Sequence, residues 1–73
     1  MTDYIVNLDA AYSAGLQFNT LGLFMHLVSL AIDQEAILAS KFPHDQVKEL
    51  LDKGLLLQSG NSLRFPKDIF KLV

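Results

Sequence analysis

The order of structural signals between Leu38 and Pro66 constrains the fold of this 73-residue chain more than any other feature. Apolar residues between positions 47 and 51 have the spacing of one helix face. Pro43 precedes them; proline disfavours helix in the residue before it and suits the first turn of the helix that follows. Gly54 can take the left-handed backbone that ends many helices. The segment therefore predicts a helix, a turn, a second helix running to about Lys53 and a glycine stop.

A β-hairpin is predicted directly after this stop. Leu55 to Gln58 and Leu63 to Phe65 are predicted strands, and the turn between them has the sequence Ser-Gly-Asn-Ser. Gly60 and Asn61 both tolerate the positive φ that tight hairpins need. After Pro66, the pattern leaves open a helical turn or an extended tail over residues 67–73, with Ile69, Phe70 and Leu72 packing back.

Four further elements are expected before Pro43. A strand over residues 1–8 is predicted from the alternation at Tyr4, Val6 and Leu8, with a loose arm as the alternative. A short helix is expected over Asp9–Leu16, with Asp9 as its cap and a stop near Gly15. A central helix is expected to begin at a cap, Asn19 or Thr20, and to run to about Ile32. A third, short helix is expected over about Gln34–Lys41, with Asp33 as its cap and with an inward face formed by Ile37, Leu38 and Phe42.

The composition requires an apolar core to hold this fold together. The chain has no cysteine, so it has no disulfide and no cysteine zinc site.

The net charge is −2, but all six basic residues lie in residues 41–73, which carry a net charge of +2. DNA-binding domains usually show a concentrated basic stripe, because phosphate neutralisation supplies much of their affinity. This distribution is weak evidence for DNA binding.

The chain lacks the signals of exported, membrane-bound and catalytic proteins. Its start has no basic n-region, and its most apolar stretch, Leu21–Ile32, is shorter than the roughly 20 residues of a membrane span. No nucleophile–base pattern, glycine-rich phosphate loop or metal-ligand cluster is evident. We therefore expect a cytoplasmic protein that is not an enzyme, with no cofactor, no metal and no membrane contact.

Residues 35–66 resemble the winged helix-turn-helix family. The resemblance is carried by Leu38-Ala39 with Phe42 three residues further on, by Lys53-Gly54-Leu55-Leu56, and by the glycine-containing hairpin. It implies a single winged-helix-like domain over residues 1–73, in the α+β class and mostly α. Three to four short helices and a C-terminal β-hairpin would form it, and the N-terminal strand could join the sheet.

The chain also resembles the small RNA-polymerase-binding transcription regulators of Xanthomonas phages. Its length, its lack of cysteine, its acidic N-terminal half and its apolar start are similar. This resemblance implies contact with the large subunits of bacterial RNA polymerase in the host cytoplasm. It further implies inhibition of initiation through interference with the σ factor, and antitermination as an additional activity.

Two sets of candidate site residues follow. For a protein partner, bound by a monomer, an exposed strand edge and nearby cations are the candidates: Tyr4, Ile5, Val6, Asn7, Leu8, Arg64 and Lys67. The alternatives are an ordinary strand of the domain's own sheet and a solvated basic surface. If the chain instead binds DNA, the candidates are His44, Gln46, Lys48, Lys53, Arg64, Lys67 and Lys71. Asp45 and Glu49 argue against DNA, because they would repel its backbone. A third class, a structural subunit of a larger assembly, is also open and predicts a stable homo-oligomer.

Overall fold

Helix α2, Phe18–Ile32, is the longest helix described in the computed structural model, which covers residues 3–73. Phe24 and Leu27 are completely buried, and Val28 is nearly so. Helix α1 (Leu8–Ser13) and helix α3 (His44–Asp52) both contact α2. The predicted central helix is confirmed, although it starts slightly earlier than the sequence indicated.

Within the described residues, five short strands form two antiparallel sheets. The strands are β1 (Tyr4–Val6), β2 (Ile37–Leu38), β3 (Leu57–Ser59), β4 (Ser62–Arg64) and β5 (Phe70–Leu72). One sheet pairs β1 with β5, and the other has the order β2-β4-β3. The expected α+β class and the hairpin are confirmed. The longest described helix, α2, has 15 residues, so none of the helices between residues 3 and 73 could cross a bilayer.

The N-terminal strand lies in a sheet separate from the hairpin. Tyr4 pairs with Leu72 and Val6 pairs with Phe70, so residues 67–73 supply an extended partner rather than a helical turn. The expectation that the first strand widens the hairpin sheet is wrong, because β1 pairs with β5 in a sheet of their own. Residues 1 and 2 of the predicted strand lie outside the described residues.

Helices α2 and α3 end in the same hydrogen-bonded motif. After α3, Gly54 has φ of 74°, and the Leu55 N–H donates to the Leu50 carbonyl at 3.0 Å. After α2, Gln34 has φ of 59°, and the Glu35 N–H donates to the Leu30 carbonyl at 2.9 Å. Both are Schellman motifs, in which a left-handed residue lets the chain satisfy the last free carbonyls of the helix.

The prediction of a short helix over Gln34–Lys41 is wrong, because the Schellman motif after α2 turns the chain at Gln34. The left-handed turn at Gln34 ends the helical path, and the chain then extends so that β2 pairs with β4. Only Ala39–Lys41 forms a single 3₁₀ turn, η1. The three residues that were expected to face inward are still removed from solvent: Ile37 is buried, and Leu38 and Phe42 are half-buried.

The hairpin turn uses its glycine and its asparagine in different ways. Gly60 has φ of 61°, whereas the φ of Asn61 is not positive. The Asn61 side chain instead accepts a hydrogen bond from the Ser40 N–H at 2.9 Å and donates to the Ser40 hydroxyl at 3.0 Å. The Asn61 carbonyl also accepts from the Ala39 N–H at 2.8 Å. The tip of the hairpin is therefore tied to η1.

The helix starts differ from those expected. Asn7, and not Asp9, is the N-cap of α1, and its side-chain oxygen accepts from the Ala10 N–H at 3.1 Å. The N-cap position of α2 is Gln17, whose side chain makes no capping bond. Asn19 and Thr20 lie inside the helix, so neither is its cap.

Gln34→Gly should raise the free energy of unfolding by roughly 0.5–1 kcal/mol, because a left-handed backbone is strained for a residue with a Cβ and relaxed for glycine. The reciprocal variant Gly54→Gln should lower it by a similar amount, since it places a Cβ at the equivalent position of the second motif. Urea unfolding followed by circular dichroism measures both. Destabilisation by Gln34→Gly would show that the Gln34 side chain contributes more than its strained backbone costs.

Candidate functional site

A groove of about 780 Å³ lies where the two sheets approach each other. One wall is the end of α2 and the turn at Gln34 and Glu35 that leads into β2. The other walls are β4, the segment that follows it, and β5. The groove therefore exists only because the chain extends after Gln34 and because residues 70–72 form a strand.

The floor of the groove is apolar and aromatic. Leu63, Phe65 and Phe70 line it, and the Phe65 and Phe70 rings lie 5.6 Å apart between centroids. Phe65 also packs edge-on against the buried Phe24 of α2, again at 5.6 Å. These contacts join the floor to the core, so the floor is a fixed surface.

Three cations line the same groove. Arg64, Lys67 and Lys71 are exposed, and Glu35 is the one acid among the described lining residues. The lining thus carries three positive charges and one negative charge. A positive rim over an apolar floor is suited to a ligand that has both acidic and apolar groups.

The structure brings the proposed partner-binding strand next to this groove without placing it in the lining. Tyr4 stacks on Phe70 with centroids 6.0 Å apart and stays 46% exposed. Ile5 is 60% exposed, and Val6 is half-buried against the core. Strand β1 is thus part of the domain's own sheet, with exposed side chains of its own.

Asn7 and Leu8 belong to the start of α1. Besides capping the helix, Asn7 donates its backbone N–H to the Ile69 carbonyl at 2.7 Å and its side-chain amide to the Asp68 carbonyl at 3.4 Å. These bonds give Asn7 a structural role in holding α1 to the segment before β5. Leu8 is the first residue of the helix and is 36% exposed.

The candidate DNA-contact residues are divided between two different surfaces of the domain. Lys48 and Lys53 of the α3 region line a shallow concavity of about 410 Å³ together with Asp45, Glu49 and Asp52. Among residues 3–73, that concavity shares no lining residue with the groove that contains Arg64, Lys67 and Lys71. His44 is exposed and Gln46 is half-buried at the start of α3. The structure therefore does not gather this set into one basic surface.

Glu49 is a structural residue, although its position on the outer side of α3 suggested a surface charge. Its carboxylate accepts from the hydroxyl of the buried Thr20 at 2.8 Å and from the Gln17 N–H at 3.2 Å. Glu49 therefore caps the start of α2 from another helix. Sequence reasoning missed this contact because Thr20 and Glu49 are 29 positions apart.

Part of the groove was also missed from sequence. Gln34 and Glu35 were assigned to a helix, so their place in the groove wall was not expected. The spacing of Arg64, Lys67 and Lys71 after the hairpin was the available signal for a basic cluster.

The two histidines do not form a metal site in the described part of the chain. No group of three potential metal ligands comes together among residues 3–73. The His26 ring lies 6.0 Å from the Phe42 ring in an edge-on contact, and its side chain is exposed.

In comparisons with known proteins, the chain matches no family model and shows no significant similarity to any curated protein or solved structure. The two concave surfaces and the sequence resemblances are therefore the basis on which a function is inferred.

Glu49→Ala should lower the free energy of unfolding by about 1–3 kcal/mol, because it leaves the buried Thr20 hydroxyl without an acceptor. Glu49→Gln keeps one acceptor oxygen and should have an intermediate effect. Lys48→Ala, an exposed neighbour on α3, is the matched control and should change stability by less than about 0.5 kcal/mol. Urea denaturation measures all three; equal effects of Glu49→Ala and Lys48→Ala would contradict the capping role.

Proposed function

We propose that this chain is a small winged-helix-like transcription regulator that acts by protein–protein contact. Its proposed target is bacterial RNA polymerase, where it would inhibit initiation by interfering with the σ factor and could also promote antitermination. The observation that carries the protein-contact role is the groove with Arg64, Lys67 and Lys71 over an apolar floor. The identity of the target comes from the resemblance to the phage regulators.

The order of elements supports the winged-helix part of the proposal. Helix α2, strand β2, the turn η1, helix α3 and the β3–β4 hairpin follow one another along the chain. In the hairpin sheet, β4 lies between β2 and β3. The element before α3 is reduced to one 3₁₀ turn, and α3 has only nine residues.

The surface of α3 favours a protein partner over DNA. Two lysines and three acids line its concavity, for a net charge of −1. Asp45 and Asp52 lie on the same helix as Lys48, so a phosphate backbone approaching the lysine would also approach carboxylates. Glu49 contributes a further negative charge while it is held in place by Thr20.

The hairpin tip supports the same conclusion. Its four residues, Ser59 to Ser62, carry no charge, and Asn61 ties the turn to Ser40. A wing that reaches along DNA needs cations near its tip to contact phosphates. Here the hairpin's one cation, Arg64, lies at the far end of β4 and lines the groove.

Purified core RNA polymerase should bind the chain at micromolar concentration, and paired charge reversals should locate the contact. Lys67→Glu combined with Lys71→Glu should weaken binding about tenfold or more, because two attractive charges become repulsive. Lys48→Glu combined with Lys53→Glu makes the same change of charge outside the groove and should weaken it less than about threefold. Fluorescence anisotropy of the labelled chain measures these affinities.

An added excess of σ factor should displace the wild-type chain if the two compete for one surface. Sedimentation of the chain alone, with no polymerase co-migrating, would remove this target. An equal loss of affinity for polymerase in the two paired variants would exclude the groove as the contact surface, but polymerase would remain the target.

A DNA-binding winged-helix regulator is the second candidate, and the strand order of the hairpin sheet favours it. We expect any DNA binding to be weak and to disappear between about 50 and 150 mM salt, because few phosphates would be neutralised. A gel shift with duplex DNA tests this. A complex that persists at about 150 mM salt and is lost in the Lys48→Glu, Lys53→Glu variant would give this candidate the lead.

A further inference from the structure

Strand β5 has one edge covered by β1 and the other edge facing the groove. Phe70, Lys71 and Leu72 all line the groove, whereas no described residue of β1 does. Among residues 3–73, β1 and β5 form a sheet of two strands, so no described strand of that sheet lies on the groove side of β5. Exposed strand edges of this kind are templates for a further strand.

The hydrogen-bond pattern identifies which backbone groups of β5 point away from β1. The Val73 N–H donates to the Asp3 carbonyl at 2.9 Å, and the Asn7 N–H donates to the Ile69 carbonyl. Antiparallel pairs alternate between bonded and non-bonded positions, so the N–H and C=O of Leu72 point away from β1. The Phe70 N–H is satisfied by the Pro66 carbonyl at 3.0 Å, which leaves the Phe70 carbonyl and both Leu72 groups for a partner.

The side chains of β5 set the chemistry that an added strand would need. Phe70 and Leu72 lie on one face of the sheet and Lys71 lies on the other, because successive strand residues alternate. A residue opposite Phe70 or Leu72 would lie beside an apolar side chain, and a residue between them would lie beside Lys71. Arg64 and Lys67 add two further cations to the groove.

We propose that the groove binds an extended peptide segment with alternating apolar and acidic residues, which adds to β5 as a third strand. The backbone bonds would come from the Leu72 N–H and from the Phe70 and Leu72 carbonyls, and the acidic side chains would face Lys71. Strand addition of this type obtains affinity from the main chain and selectivity from alternate side chains. This inference rests on the protein-binding role proposed above and specifies the chemistry of the partner segment.

A peptide fits the groove better than a nucleic acid does. Single-stranded nucleic acid needs aromatic faces on which bases can stack. Phe70 is only 9% exposed and its ring is stacked with Tyr4, and Phe65 is held between Phe24 and Phe70. A nucleic-acid backbone also cannot complete the hydrogen-bond ladder of a strand edge.

The test is a titration of the full chain with a blocked peptide that alternates valine and glutamate. NMR chemical shifts of the backbone amides give both the affinity and the site. We expect saturable binding below millimolar concentration, with the largest shift at the Leu72 amide and slower hydrogen exchange of that amide in the complex. A peptide with lysine in place of glutamate should bind at least tenfold more weakly.

Matched variants separate strand addition from simple charge attraction. In an added antiparallel strand, the valines opposite Phe70 and Leu72 direct their backbone groups to β5, so N-methylation of the valines should weaken binding about tenfold. N-methylation of the glutamates, whose N–H groups face away, should have little effect. Lys71→Glu should weaken the glutamate peptide several-fold and recover affinity for the lysine peptide, whereas Lys53→Glu should do neither.

Three results would overturn the proposal. They are the absence of saturable binding, equal weakening by both N-methylated peptides, and tighter binding of a single-stranded oligonucleotide to the same amides. Because the titration contains no polymerase, its outcome is independent of the proposed target. Peptide binding without polymerase binding would exclude polymerase as the target but would leave the peptide-binding groove in place. Polymerase binding that is unaffected by Lys71→Glu would exclude the groove as the surface that contacts polymerase but would leave polymerase as the target.

Discussion

The packing of α2 against α3 is the contact on which the rest of the structure depends. Phe24 and Leu27 of α2 and Leu50 of α3 are completely buried, and no disulfide assists them. Thr20 and Glu49 join the same two helices by a hydrogen bond at the edge of this core. With strands of two or three residues, neither sheet would be stable alone. The helix pair therefore positions both sheets, and the groove is the space left between them.

The charged residues differ in their roles: some are hydrogen-bonded within the fold, and others are exposed around the groove. Glu49 is hydrogen-bonded to the start of α2. Helix α3, which holds the position of the DNA-reading helix in the winged-helix resemblance, therefore also stabilises the fold. The remaining side chains on its surface mix lysines with carboxylates. Arg64, Lys67 and Lys71 instead surround an apolar floor. Charge and shape therefore both favour the groove as the surface that meets a partner.

The parts of the fold that sequence predicted correctly depend on local signals. The α2 and α3 helices follow from apolar spacing, and Gly54 and Gly60 adopt the positive φ that their positions indicated. Gln34 was not recognisable as a helix stop, because glutamine seldom adopts the left-handed conformation. The spacing of Ile37, Leu38 and Phe42 fits a helix as well as it fits the observed strand and turn. That ambiguity produced the false helix.

The candidate site was less predictable because it depends on contacts between distant segments. Arg64 and Lys67 were identified from their charge, but their common groove requires β5, whose pairing with β1 joins the two ends of the sequence. Nothing local in residues 67–73 distinguished a strand from a helical turn. The capping of α2 by Glu49 is likewise a long-range contact, and neighbouring residues such as Asn19 and Thr20 were the obvious but incorrect candidates.

The central claim, that this domain contacts a protein and not DNA, is tested most directly by a pull-down from bacterial lysate. The purified chain would be the bait, the lysate would be divided into nuclease-treated and untreated halves, and bound proteins would be identified by mass spectrometry. RNA polymerase subunits should be retained in equal amounts in both halves. Loss of all captured protein after nuclease treatment would contradict it and would identify nucleic acid as the primary ligand.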